Sequence, residues 1–254
     1  MRKLIGFLVS FALCLALVSP ALAGDLSVKD LVSKIQSNQS RISDMYAETV
    51  TTITSSMVLP ASPAGGPGSK GQGPQTMTQK GKIWNKGKDK SKVEMLSPMK
   101  QITITNGDKM AIINPETGQK MVQDMKKMRQ AKGQAEPQKE MNFEKALDYF
   151  NLTMEKKGDD YVITGTPKEA NKFFGRMEFV VDSGKMVPTS IMMYDPKGRL
   201  VSQSVIEYQK IADIWIPVKN LSNVTTPAGK MKVEMQFQNI KVNKGIGDNE
   251  FKVE

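Results

Sequence analysis

The sequence predicts a mainly β protein of the α+β kind, built on an antiparallel sheet, sandwich or barrel. Three observations carry this. From Met45 onward, short runs rich in Val, Ile and Thr follow one another at close spacing, separated by turn residues. Tight-turn sequences lie between them: Asn106-Gly107, Pro115-Glu116-Thr117-Gly118 and Asp195-Pro196-Lys197-Gly198. The long helical crossovers that a parallel sheet requires are missing.

The first element is a leader. Arg2 and Lys3 precede an apolar run, Leu4 to Val18, of a length that suits a signal peptide and is short for a membrane span. Ala21-Leu22-Ala23 forms an A-x-A cleavage site, so 1–23 is expected to be removed and the mature chain to begin at Gly24. Cys14 sits inside the apolar run behind Leu13, where a lipobox requires Gly or Ala, and simple cleavage is the expectation. The mature chain, 24–254, is then one domain carrying a net charge of +8, with no Cys. No later run approaches a membrane span, which predicts an exported, soluble product.

A helix opens the mature chain. Ser27-x-x-Asp30 resembles a capping box, and Val28, Leu31, Val32 and Ile35 repeat at i, i+3, i+4, i+7. This stripe is expected to pack on a sheet. A long first strand spans 45–57. Residues 60–75 hold four Pro and five Gly, which no packed element tolerates, so this is a flexible loop. The Gly66-x-Gly68-x-x-Gly71 within it is a formal dinucleotide fingerprint without the flanking strand and helix that give it meaning.

Strands follow at 81–85, 91–96, 101–106, 110–114 and 120–123. Met121, Met125 and Met128 then lie at i, i+4, i+7, strand at first and helical afterwards. A helix is expected behind Asn142, because Phe143, Ala146, Leu147 and Phe150 repeat the helical stripe. Strands return at 152–156, 161–165, 177–182, 188–194, 201–209, 214–217, 221–226 and 231–240. Thr166-Pro167 could open a short helix between two of them.

The composition narrows the function. The 254 residues contain no His and a single Cys. The commonest general base and metal ligand is absent, and neither a Ser-His-Asp nor a Cys-His site can be built. A disulfide framework and a zinc cluster are excluded as well. Ser97-x-x-Lys100 matches a penicillin-binding nucleophile motif, but Pro98 lies within it and its companion motifs are missing. Asp159-Asp160 and Asp44/Glu48 read as solvated charge. Lys is interleaved with acidic residues and no basic recognition helix appears, which argues against nucleic acid. The expected protein is therefore a binder and not an enzyme, with no cofactor and no metal. Methionine, at 18 residues, is the informative excess. Ordinary core packing explains any single one. Together they suit an adaptable apolar cavity, or, more weakly, soft Cu(I) binding.

Gly81-Lys-Ile-Trp84, Val93-Glu-Met95, Ser97-Pro98, Ile102-Thr-Ile104-Thr-Asn-Gly107-Asp108, Asn114-Pro115 and Gln119 resemble the outer-membrane lipoprotein carrier (LolA-like) family. Ile214-Trp215-Ile216-Pro217, the 230–240 strand and Asp248-x-Glu250-Phe251 are similar to the broader outer-membrane lipoprotein-sorting group. The chain departs from the pattern at Gly87, where the family places Arg, and at Ser91, where it places an aromatic. The resemblance implies an incomplete antiparallel β-barrel with a concave apolar face, an N-terminal helix and a helical lid. It implies a periplasmic carrier of acylated lipoprotein or lipid, working as a monomer with inner- or outer-membrane transport components. The expected cavity is lined by Val93, Met95, Ile102, Ile104 and Ile112 on strands, with Met121, Met125, Met128, Phe143, Leu147 and Phe150 on the lid side. A regulatory sensor on the same scaffold, binding a partner protein, is the alternative.

Overall fold

The computed structural model describes residues 26–56, 75–131, 149–170 and 174–253. The expected leader, the 60–74 part of the Gly/Pro loop, and Phe143 and Leu147 of the expected lid helix lie outside these residues.

Helix α1 spans Val28–Ser40. Its N-terminus is capped as the sequence predicts: the Asp30 N–H donates to the Ser27 hydroxyl at 3.1 Å. The apolar stripe is the buried face, through Leu31, Val32 and Ile35.

Six strands follow in a meander: β1 (Asp44–Ser55), β2 (Gln75–Lys86), β3 (Lys90–Ser97), β4 (Gln101–Asn106), β5 (Lys109–Ile113) and β6 (Lys120–Asp124). A short helix, α2 (Met125–Ala131), continues from β6. Seven more strands form a second meander: β7 (Phe150–Lys157), β8 (Asp160–Pro167), β9 (Arg176–Asp182), β10 (Val187–Tyr194), β11 (Leu200–Ile211), β12 (Ile214–Thr226) and β13 (Gly229–Val242). A single 3-10 turn, Asp248–Phe251, lies near the C-terminus.

Hydrogen bonding orders the strands β6-β5-β4-β3-β2-β1-β13-β12-β11-β10-β9-β8-β7. The first strand pairs antiparallel with the last, which joins the two meanders, and the sheet ends on β6 and β7 without closing. The fold is thus the open antiparallel β-structure that the sequence predicts.

Three local expectations are corrected. Phe150 opens β7 instead of ending a helix, because pairing with Pro167 of β8 competes successfully with the helical stripe. Thr166 and Pro167 close β8 and do not begin a helix. The two runs at 214–217 and 221–226 are one strand, β12. Pro217 is tolerated there because the register with β13 begins only at Lys219.

The chain forms two compact units, Met1–Arg41 with Pro137–Ile206 and Ile42–Glu136 with Glu207–Glu254. In the first, Leu31, Val32 and Ile35 of α1 pack with Leu152, Ile163, Met177, Phe179 and Val181. Each such fully buried aliphatic side chain contributes about 1.5–3 kcal/mol. Phe150 meets Phe174 edge-on beside this core, with ring centroids 5.8 Å apart.

The β9–β10 turn of this unit carries a pH-sensitive lock. The Asp182 carboxylate accepts the Gly184 and Lys185 N–H groups at 3.0 and 2.8 Å and also binds the Lys185 ammonium. The Lys185 hydrogen bond holds the carboxyl below its usual range. The folded chain therefore binds this proton less tightly than the unfolded one. The stability gained is present at neutral pH and lost as the pH falls through the depressed value. Asp182→Asn is expected to lower the urea midpoint at pH 7, with the gap to the parent narrowing towards pH 3. A gap independent of pH would contradict this role.

In the second unit, Ile214, Ile216 and Val242 form one buried cluster with Ile42, Met45, Ile211 and Ile240 beside it. Asp44 is 6% exposed, so the reading of it as solvated charge is corrected. Its carboxylate accepts the Lys244 and Gly245 N–H groups at 2.9 and 3.0 Å and so fixes the turn that leaves β13. Five donors, the Ser43, Asp44, Lys244 and Gly245 N–H groups and the Ser43 hydroxyl, converge on the Asp44 carboxylate and the Asn243 side-chain oxygen, which accepts the Ser43 N–H at 2.8 Å.

Candidate functional site

Register divides the sheet of the second unit into two unlike faces. One face contains the cross-strand row Tyr46, Trp84, Lys92, Ile104, Ala111 and Val122. The C-terminal segment returns to cover it. Phe251 and Val253 are buried against Ile104 and Ala111, with Trp84, Ile102, Ile113 and Ile246 packed at the margin. Ion pairs stitch the segment down: Lys86 and Lys90 to Asp248 at 2.8 and 3.0 Å, and Lys92 to Glu250 at 2.7 Å. The two lysines hold the Asp248 carboxyl below its ordinary range. The Asn106 amide donates to the Phe251 carbonyl at 3.2 Å. Lys92 also lies 4.6 Å from the Trp84 ring centre, and Trp84 packs at a tilt on Tyr46.

The other face is chemically opposite. Its central row, Ala47, Ile83, Val93, Thr103, Ile112 and Met121, crosses six strands. The registers place every Asp, Glu and Lys of β1–β6, β12 and β13 on the covered face and none on this one. All seven methionines of these strands lie on the charge-free face: Met45, Met77, Met95, Met110, Met121, Met231 and Met235. That concentration makes the surface soft and polarizable where the opposite one is charged and fixed. Val93 is 44% exposed and Met121 50%, while Ile83, Met95 and Ile112 are half-buried. None of these five belongs to a buried cluster. At Gly81, between Thr49 and Met95 on this face, a Cβ would stand 2.7 Å from the Glu94 carbonyl oxygen, so only glycine keeps β2 and β3 this close.

The expected cavity set is therefore split. Val93, Met95, Ile112 and Met121 share the charge-free face. Ile102 and Ile104 are on the opposite face, under the C-terminal segment, because Thr103 between them is the residue that pairs with Val93 and Ile112. Met125 and Met128 are half-buried on α2. Phe150 packs in the core of the other unit. Sequence reading passed over Ile83, Met110 and Met235, and the signal that finds them is parity counted outward from Val93.

The candidate catalytic motif does not form. Ser97 closes β3 instead of beginning a helix, and the Lys100 ammonium pairs with Glu116 at 3.2 Å. Among the described residues no group of three or more His, Cys, Asp or Glu could hold a metal ion, and no helix is long and apolar enough to cross a membrane.

In the second unit the antiparallel sheet thus has one charged face, on which the C-terminal segment packs, and one charge-free, methionine-rich face. Known structures place it more closely. A DUF1329 family protein from Desulfovibrio piger matches at 18% identity and TM-score 0.56, over 88% of this chain and 95% of that one. An outer membrane lipoprotein-sorting protein domain from Vibrio parahaemolyticus matches at 14% identity and TM-score 0.51, over 85% and 94%. A LolA superfamily protein from Nitrosomonas europaea matches at 12% identity and TM-score 0.51, over 90% and 98%. The fold is thus that of LolA superfamily and lipoprotein-sorting proteins. A family model described as "Uncharacterized protein" matches residues 138–254. No curated protein matches.

Proposed function

We propose that this chain is a non-catalytic periplasmic carrier that shields acyl chains of lipoproteins or related lipids on the charge-free face of its second unit. The observation that carries the reading is the segregation of charge. Eight strands keep their ionised groups on one side and their methionines on the other. An acyl chain laid on the second side meets no ionised group, the kind whose desolvation opposes binding most. Each buried methylene contributes about 0.8 kcal/mol, so affinity accumulates along the chain without a polar anchor. Thioethers adjust to chains of different length and saturation.

The Val93, Met95, Ile112 and Met121 surface, extended by Ile83 and Met110, is the proposed contact. The leader-like sequence at 1–23 supports export, and the shared fold with a lipoprotein-sorting domain supports the ligand class. Protein isolated gently from the periplasm is expected to carry acyl-bearing ligand in native mass spectrometry and to extract lipoprotein from membranes. Protein that is consistently empty and extracts nothing would overturn the reading. One stoichiometric protein partner without lipid would favour a sensor instead.

A further inference from the structure

The strand β6 ends the sheet on one side, and its two central side chains, Met121 and Val122, are each 50% exposed although they point to opposite faces. Among the described residues no strand pairs with this edge, and an edge with an exposed apolar side chain on each face is a pairing surface that soluble proteins usually blunt. Which of its backbone groups are free follows from its neighbour. The Met125 N–H donates to the Asp108 carbonyl at 2.8 Å and the Asn114 N–H to the Gln119 carbonyl at 2.9 Å. In an antiparallel ladder, hydrogen-bonded and non-hydrogen-bonded pairs alternate. Met110–Gln123 and Ile112–Met121 are therefore the bonded pairs between β5 and β6, and Lys120, Val122 and Asp124 turn their N–H and C=O groups outward.

The edge reads Lys120-Met121-Val122-Gln123-Asp124. Antiparallel pairing of this strand with itself about Val122 sets Val122 opposite Val122 in a hydrogen-bonded pair, through backbone groups that both face out. It also sets Lys120 opposite Asp124 at each end. Lys120 has no ion-pair partner among the described residues. Centring on Lys120 would oppose two lysines, and centring on Met121 or Gln123 would leave the charges unmatched. The pairing keeps the two surfaces in register too. Met121 meets Gln123 on the charge-free side, and the Lys–Asp contacts fall on the charged side. We propose that β6 is the interface for a second copy of this chain, forming a two-fold dimer by antiparallel β6–β6 pairing centred on Val122. This departs from the monomer expected from the sequence, and it does not depend on the proposed acyl carriage.

Sedimentation of the chain lacking residues 1–23 tests it. The parent is expected to be dimeric at high micromolar concentration. Val122→Lys, which sets two ammonium groups face to face on the axis, and Lys120→Glu, which sets a carboxylate against Asp124, are each expected to weaken the dimer at least about tenfold. Both positions are exposed, and circular dichroism matching the parent separates loss of pairing from loss of fold. Val122→Cys supplies the only thiol of the chain lacking residues 1–23, since Cys14 lies in the removed segment. The Cα separation of a bonded antiparallel pair, about 5.5 Å, lies within disulfide range. Mild oxidation should give a covalent dimer from Val122→Cys and none from Val93→Cys, which at 44% against 50% is similarly exposed but interior to the sheet. A parent that is monomeric throughout, a dimer indifferent to both charge variants, or cross-linking equal at the two cysteines would each overturn the proposal.

Discussion

Phe251→Ala is expected to destabilise the protein by about 3–5 kcal/mol, the usual cost of emptying a large buried aromatic site. Phe251 is fully buried and packs with Ile104, Ala111 and Val253 beneath the C-terminal segment. The surrounding groups cannot collapse into the void easily. Ile104 and Ala111 are held at paired positions of β4 and β5, and the Ala111 methyl cannot extend into the space. The ion pairs that hold the segment are a poor substitute. Asp248 is two-thirds exposed, and exposed pairs contribute only about 0–1 kcal/mol. Asp248→Asn is accordingly the informative control. Urea unfolding followed by tryptophan fluorescence, to which Trp84 at the margin of this cluster contributes, reads both variants. If Asp248→Asn cost as much as Phe251→Ala, the segment would be held by charge and the packing account would fail.

The second large effect concerns binding. Val93→Asp is expected to reduce affinity for a fluorescent long-chain fatty acid at least about a hundredfold while leaving the fold in place. Val93 sits at the middle of the charge-free row and is 44% exposed, so the free protein keeps an aspartate there well hydrated. A bound acyl chain would strip that water, and an unpaired carboxylate resists this by several kcal/mol. Ile112→Asp, across Thr103 in the same row, should act alike. Glu94→Gln is the control, one residue along β3 and therefore on the charged face. Equal loss in Glu94→Gln, or undiminished binding in Val93→Asp, would move the acyl site off this surface.

Much of the fold is legible locally. The helix at 28–40 follows from one cap and one apolar stripe, and the meanders follow from turn residues between β-rich runs. Where local reading goes astray, a longer-range pairing prevails. Phe150 has helical spacing from Phe143 and Leu147 behind it, yet it becomes the first residue of β7 because Pro167 and β8 offer it a strand partner. Pro217 suggests a break, yet β12 runs through it, since no ladder partner from β13 is required at that point. Part of the proposed strand-borne contact surface was within reach for the same reason. Val93 and Met95 stand two apart on β3, and Ile112 joins them only once the Asn106–Lys109 hairpin register is known.

The sequence by itself determined that this is an exported-looking, His-free, mainly β chain with an unusual supply of methionine, and it determined where most strands begin and end. It could not choose the faces. Side chains alternate with a period of two, so β4 offers Ile102 and Ile104 to one side and Thr103 to the other, and hydrophobicity alone favours the isoleucines as the cavity. Tertiary structure reversed that choice. A segment some 150 residues further along places Phe251 and Val253 over the isoleucines and makes them core, while in the row through Thr103 Val93 and Met121 stay exposed among the described residues. The pairing of the first strand with the last fixed the rest, because only when β1 lies between β2 and β13 do methionines scattered from 45 to 235 come to share one uncharged surface.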